Sequence, residues 1–162
     1  MNSVATAADV GVGTVYRRFG DQGGLVEALM DHRESQLQHG MFAGAPPLGP
    51  GAAAPERIRA FLHAYADLLE VYAPLMASAE ATMTPARRYR SGPYAVHRQH
   101  LAELIAELDP HAEPGYLADA LLAPLAAGLF LQQRDEGTHL DDIKTGLDVL
   151  LAGIAPAPAQ HR

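Results

Sequence analysis

The sequence predicts an all-α fold, with a small helical head followed by a helical body, and three observations carry this. Apolar residues recur every three or four positions, and no stretch alternates with period two for long enough to form a strand. Ala and Leu are abundant, Val and Ile are sparse and scattered, and Trp is absent, a composition that favours helices over strands. Residues 43–55, AGAPPLGPGAAAP, hold three Gly and four Pro and no charge, so they read as a linker between head (1–42) and body (56–155).

In the head, Val4, Ala7 and Ala8 form a small apolar face suited to a short helix packed closely on another. Asp9 and Gly11 suit turn geometry. Thr14 to Phe19 form a second short helix, with Val15 and Phe19 inward and Tyr16, Arg17 and Arg18 outward. Gly20-Asp21 stops it, and Asp21 can cap a third helix carrying Leu25, Val26 and Leu29. In the body, Ile58, Leu62, Tyr65, Leu69 and Tyr72 share one face of a helix opened by Pro55 and Glu56. Pro74 is expected to close it, leaving a short helix or irregular segment through Leu75, Met76 and Met83. Tyr94, His97, Leu101, Leu104 and Leu108 line the next helix, which ends at Asp109-Pro110. Leu117, Leu121, Leu125 and Phe130 mark a helix to about Arg134, kinked where Pro124 lacks a donor for the carbonyl of Ala120. After Gly137 and Thr138, Leu140, Ile143, Leu147, Leu150 and Ile154 define a last helix, with Asp141 and Asp142 near its positive end. The tail, 156–162, cannot continue that helix and is expected to fray.

A chain of 162 residues can build one sizeable core and a small second module without disulfides or metal. It has no Cys, which fits a reducing cytosol. No basic segment followed by an apolar run opens the sequence, and no apolar run approaches about 20 residues. The expectation is a soluble, cytoplasmic protein with no membrane partner. The net charge of −7 argues against non-specific coating of nucleic acid, because Lys and Arg supply that affinity, but it allows a small basic reading head. No enzyme and no cofactor are expected: there is no thiol, no G-x-S-x-G turn and no GxxxxGK loop. His97 and His100 could share a helical face with Glu103, but no second cluster accompanies them and no metal is expected.

The stretch from Val4 to Leu29, VATAADVGVGTVYRRFGDQGGLVEAL, reads as helix, tight turn and helix with an exposed Tyr-Arg-Arg, the geometry of a helix-turn-helix reading head. It resembles the pattern I-A-x-x-A-G-V-S-x-G-T-L-Y-x-H-F-x-x-K-x-x-L of tetracycline-repressor-like regulators. Val4-Ala5 match its Ile-Ala, Ala8 its Ala and Val10 its Val. Gly13, Thr14, Val15, Tyr16 and Phe19 match G-T-L-Y and F, and Leu25 matches the final Leu. Asp9, Gly11 and Gln22 stand where the family has Gly, Ser and Lys, and the family's first helix, which would precede Val4, is not in this sequence.

The resemblance implies that Gly13 and Thr14 begin a recognition helix and that Thr14 and Tyr16 touch phosphates. Val12, Arg17 and Arg18 would approach base edges, and Gln22 would occupy the phosphate-gripping position at the next helix start. It further implies a homodimer on a near-palindromic operator on double-stranded DNA, acting as a repressor released by a small apolar or aromatic effector. The dimer would form through the last two helices, with Leu125, Gly128, Leu129, Leu147, Leu150 and Leu151 at its interface. The effector pocket would draw on Phe61, Tyr65, Leu69, Tyr72, Met76, Met83, Tyr94, His97, Leu101, Leu121, Leu125 and Phe130, apolar walls with a few hydroxyl and imidazole handles. The alternative is a helical ligand-binding dimer that no longer reads DNA.

Overall fold

The computed structural model describes residues 2–81, 83–90 and 92–154. The side chains of residues 4, 22–24, 26, 27, 85, 87 and 88 lie outside the described set, and so does the tail expected to fray.

The chain is all helical. Its elements are α1 (Asn2–Ala7), α2 (Val12–Phe19), α3 (Gln22–Ala43), α4 (Ala54–Glu80), α5 (Pro85–Arg90) and α6 (Gly92–Leu108), followed by α7 (Pro114–Leu122), a 3-10 turn (Ala123–Leu125), α8 (Ala127–Asp135) and α9 (Leu140–Ile154). Among the described residues there is no strand, only an isolated bridge between Pro50 and Ala52. No single described helix is long and apolar enough to cross a membrane.

Two compact units divide the chain, Met1–Gln36 and Leu37–Arg162. The boundary therefore lies within α3, ahead of the Pro/Gly segment that the sequence marked as the linker. The reason is apolar: Leu37 and Met41 are buried in the core of the second unit, so the last turns of α3 belong to it. The Pro/Gly segment is a compact turn of that same unit. Leu48 packs against the core, and the Gly49 N–H donates to the Ala45 carbonyl at 3.0 Å. A methyl group on Gly49 would collide with the carbonyl oxygen of Gly44, so glycine is required there by close backbone approach.

In the second unit α4 is the central element, packing against α6, α8 and α9. It buries Ile58, Phe61, Leu62, Ala66, Leu69 and Ala73 along one helical face. It does not end at Pro74 as its sequence suggests. The helix continues to Glu80, because Pro74 lies on the exposed side, where water can serve the carbonyl of Glu70 that the proline cannot. The helix expected to run kinked from Leu117 to Arg134 is instead broken in two. A 3-10 turn holds Pro124, Ala126 is extended (φ −63°, ψ 127°), and the flanking segments bend by 43°. With the break, Leu121 and Leu125 before it and Phe130 after it are all buried.

The remaining joints are polar. Asp148 of α9 accepts two hydrogen bonds from Arg59 of α4, at 2.9 and 3.0 Å, and lies 2.8 Å from the Nε2 of His63. Lys144 of α9 donates to Asp67 at 2.6 Å, and Arg134 of α8 donates to Glu70 at 2.8 Å. These α4 residues fall three and four apart, so one stripe of the helix fixes its register against α8 and α9. Between α6 and α7, Tyr94 and Arg98 both donate to Asp119, at 2.7 and 2.8 Å. Burial pushes the Asp119 carboxyl upward, but these two donors outweigh it and leave the pKa below the ordinary value. The α9 start is half of a capping box: Asp142 accepts from the His139 N–H at 3.1 Å.

Candidate nucleic-acid interface

In the first unit, α1 packs against α2, and a short turn joins them. Asp9 takes a positive φ of 53° in that turn, a conformation that Asp tolerates better than most residues. Gly11 is extended (φ −66°, ψ 138°), so the backbone there does not demand glycine, whereas Gly20, at φ 74° and ψ −71°, ends α2 in a tight γ-turn that favours glycine, closed by the Asp21 N–H on the Phe19 carbonyl at 2.9 Å. The Gly20 N–H closes the helix onto the Tyr16 carbonyl at 2.9 Å.

The helix between these turns is two-faced. Val15 is buried at 4% exposure and Phe19 is half-buried, four residues apart on the inner side. Val12, Gly13, Thr14, Tyr16, Arg17 and Arg18 are all exposed, Tyr16 at 49%. Arg17 donates to the Thr14 hydroxyl at 3.3 Å, and the Arg18 guanidinium lies over the Phe19 ring at 5.6 Å. The first bond orients one arginine along the outer face, and the second sets the guanidinium of the other over an aromatic ring of the same helix. Six of the seven residues expected to meet DNA are thus exposed on one short helix. The seventh, Gln22, has its side chain outside the described residues.

The residues expected to form an effector pocket are mostly core. Phe61, Leu69, His97, Leu101, Leu121, Leu125 and Phe130 are buried, and Tyr65, Met76 and Tyr94 are partly buried against them. Tyr72 is half-buried, and Met83, at 39% exposure, is open to solvent. Three of them form an aromatic cluster: Phe61 stacks on Tyr65 at 6.0 Å, and the His97 ring lies 5.1 and 4.9 Å from the two. A shallow hollow of about 220 Å³ lies elsewhere, between the end of α4 and the start of α8. It is lined by Ala77, Glu80, Ala81, Ala126, Gly128 and Leu129, none of them an expected pocket residue.

The residues expected at a dimer interface divide. Leu125, Leu147 and Leu151 are consumed by the chain's own core, which removes them from any surface between copies. Gly128, Leu129 and Leu150 are exposed, the leucines at 46% and 48%, and Val149 adds a further 67% exposed side chain on α9. The sequence could not separate these sets, because an amphipathic helix and a helix with two apolar faces share the same leucine spacing.

Sequence reasoning weighed His100 only as a metal ligand and passed over Arg57. His100 is buried at 3% exposure on α6, beside Phe61 at 6.0 Å and Phe42 at 5.4 Å. Burial lowers its pKa to about 4, and the nearby charge of Arg57 contributes in the same direction. Glu103 is exposed and accepts from Gln99, and among the described residues no group of three His, Asp or Glu is placed to hold a metal ion.

The fold and the head together define an all-helical chain that carries an exposed aromatic and basic face on a short helix. No protein-family model matches the chain, and no curated protein or solved structure matches it significantly.

Proposed function

We propose that the chain is a sequence-specific DNA-binding transcriptional regulator of the tetracycline-repressor type, a cytoplasmic homodimer released from its operator by a small apolar or aromatic effector. The observation that supports it most is the face of α2: Tyr16, Arg17 and Arg18 are open to solvent, while Val15 is buried on the other side. A short helix whose N-terminal amides and tyrosine can meet phosphates, and whose arginines can reach guanine O6 and N7, has the parts that major-groove reading needs. The exposed Leu129, Val149 and Leu150 support pairing of two copies through α8 and α9, which would set two recognition helices about 34 Å apart on the duplex.

A second reading, a ligand-binding dimer that does not read DNA, draws support from charge. Residues 1–36 carry only Arg17, Arg18 and Arg33 against five carboxylates, a weak electrostatic hold on phosphate. Selection from a pool of random duplexes separates the two. The regulator should enrich a near-palindromic site whose half-sites lie about one helical turn apart. A pool that stays unenriched after repeated rounds at low salt would favour the second reading.

A further inference from the structure

Two buried nitrogens in the second unit, the Nε2 of His100 and the Nε of Arg57, have no hydrogen-bond partner among the described residues. They come from different helices, α6 and the first turn of α4. Leaving such groups unpaired in the interior costs about 1–3 kcal/mol each. The Arg57 charge acts on the His100 ring, so the two side chains are neighbours, and one acceptor between them would serve both. The surroundings narrow its chemistry. The Phe42 and Phe61 rings lie against His100, and His97 and Tyr65 extend the same aromatic cluster. Arg57 is already anchored at its other end, where a terminal nitrogen donates to the Met41 carbonyl at 3.3 Å.

We propose that His100 and Arg57 form the polar end of a ligand site that takes a small aromatic or apolar carboxylate, its two oxygens accepting from the Arg57 Nε–H and the His100 Nε2–H while its ring takes the place of the exposed Phe42 ring beside the imidazole. This rests on the effector reading above and gives that effector an acid group. A carboxylate suits the pair because its two coplanar acceptors match two donors; a phosphate dianion would bring a second charge that two donors cannot balance. Phe42 supplies the way in. It is 52% exposed yet lies edge-on to His100, so rotation of one surface ring uncovers the buried imidazole.

The site is linked to protons. The charged and titratable groups acting on His100 are Arg57 from α4 and His97 and Glu103 from its own helix; Phe42, from the end of α3, is neutral. Arg57 and His97 oppose protonation and Glu103 favours it, and burial makes the neutral ring prevail. A bound carboxylate reverses that balance, because an anion beside the ring favours the imidazolium. Binding should therefore take up a proton and tighten as pH falls from 7 towards 5.

The test is calorimetric titration of the full chain with benzoate and with benzyl alcohol, which has the same ring and no charge. It is run in two buffers of different ionisation enthalpy and paired with ¹⁵N NMR of the imidazoles. The proposal expects benzoate to bind at least tenfold more tightly than benzyl alcohol, with proton uptake and a shift of the His100 Nε2 resonance. Arg57→Gln should erase the difference between the two probes, and Phe42→Ala should speed binding without erasing it. Equal affinity of the two probes would overturn the acid site while leaving an apolar effector standing. Binding of neither at 20 mM, or benzoate binding that leaves the His100 resonance unmoved, would also overturn it. The NMR arm is read on the unsubstituted chain, so the outcome does not depend on whether a variant folds.

Discussion

Gly49 and His100 illustrate two ways in which a single position is fixed by what surrounds it. At Gly49 the constraint is steric, since the Gly44 carbonyl oxygen occupies the space that a Cβ would need. Gly49→Ala should cost about 1–3 kcal/mol, the usual penalty for forcing atoms into a packed region. Thermal unfolding should show this as a drop of several degrees, at about 2–4 °C per kcal/mol for a chain of this size. An unchanged melting temperature would mean that the turn yields freely. At His100 the constraint is electrostatic. Its folded pKa of about 4 lies below the ordinary 6.5, so the unfolded chain binds the proton first as pH falls. Stability from this residue is complete above pH 6.5 and is lost between there and pH 4, to a limit of about 3 kcal/mol. Denaturant titrations across that window should show this slope in the unsubstituted chain and its disappearance in His100→Gln. Neither constraint is legible in the sequence. A glycine in a Gly/Pro-rich stretch reads as flexibility, and a histidine reads as a ligand or a surface residue until its burial is known. Tyr16, Arg17 and Arg18 were legible, because the outer face of a short helix follows from the spacing of Val15 and Phe19 alone.

Helices with clear apolar spacing and a hard stop emerge as the sequence predicts. The α6 helix ends at Leu108 ahead of Asp109-Pro110, and α9 opens at Leu140 behind Gly137 and Thr138. Proline is where the reading of elements breaks down, because its effect depends on which side of the helix it faces. Pro74 was expected to end α4 and does not, being exposed, whereas Pro124 was expected only to kink a helix and sits in an outright break. The same reasoning gives a prediction for α4. Pro74→Ala restores an amide donor in a helix interior, worth up to about 3 kcal/mol, and gives back about 1 kcal/mol through the looser unfolded chain. A net gain of about 1–2 kcal/mol should appear as a higher denaturation midpoint with an unchanged slope. A lower midpoint would show that the proline is needed where it stands. The α3 helix carries a different lesson. The helix is continuous, yet its apolar residues are split by the polar run 31–36, DHRESQ, and Leu37 and Met41 beyond it join the core of the second unit, so the boundary falls inside a helix. The Gly/Pro stretch that resembles a hinge is a packed turn.

For the whole molecule, the all-helical architecture was readable from composition and period, and the division of labour between leucines was not. Leu125, Leu147 and Leu151 close the core of the chain, and Leu129, Val149 and Leu150 are left outside. The net charge of −7 bears on the proposed function at this scale, since long-range attraction to DNA is weak and recognition must rest on close contacts by few groups. A regulator built this way should show a shallow salt dependence and a steep dependence on α2. The most direct test is fluorescence anisotropy of the full chain on its selected duplex and on a scrambled one, with Arg17→Ala and Arg18→Ala alongside. If α2 reads base edges, each substitution should weaken binding to the selected site by roughly 5- to 150-fold, the equivalent of about 1–3 kcal/mol, and leave the scrambled duplex little changed. Equal binding of both duplexes by the unsubstituted chain, or full retention of selectivity without the two arginines, would contradict the account.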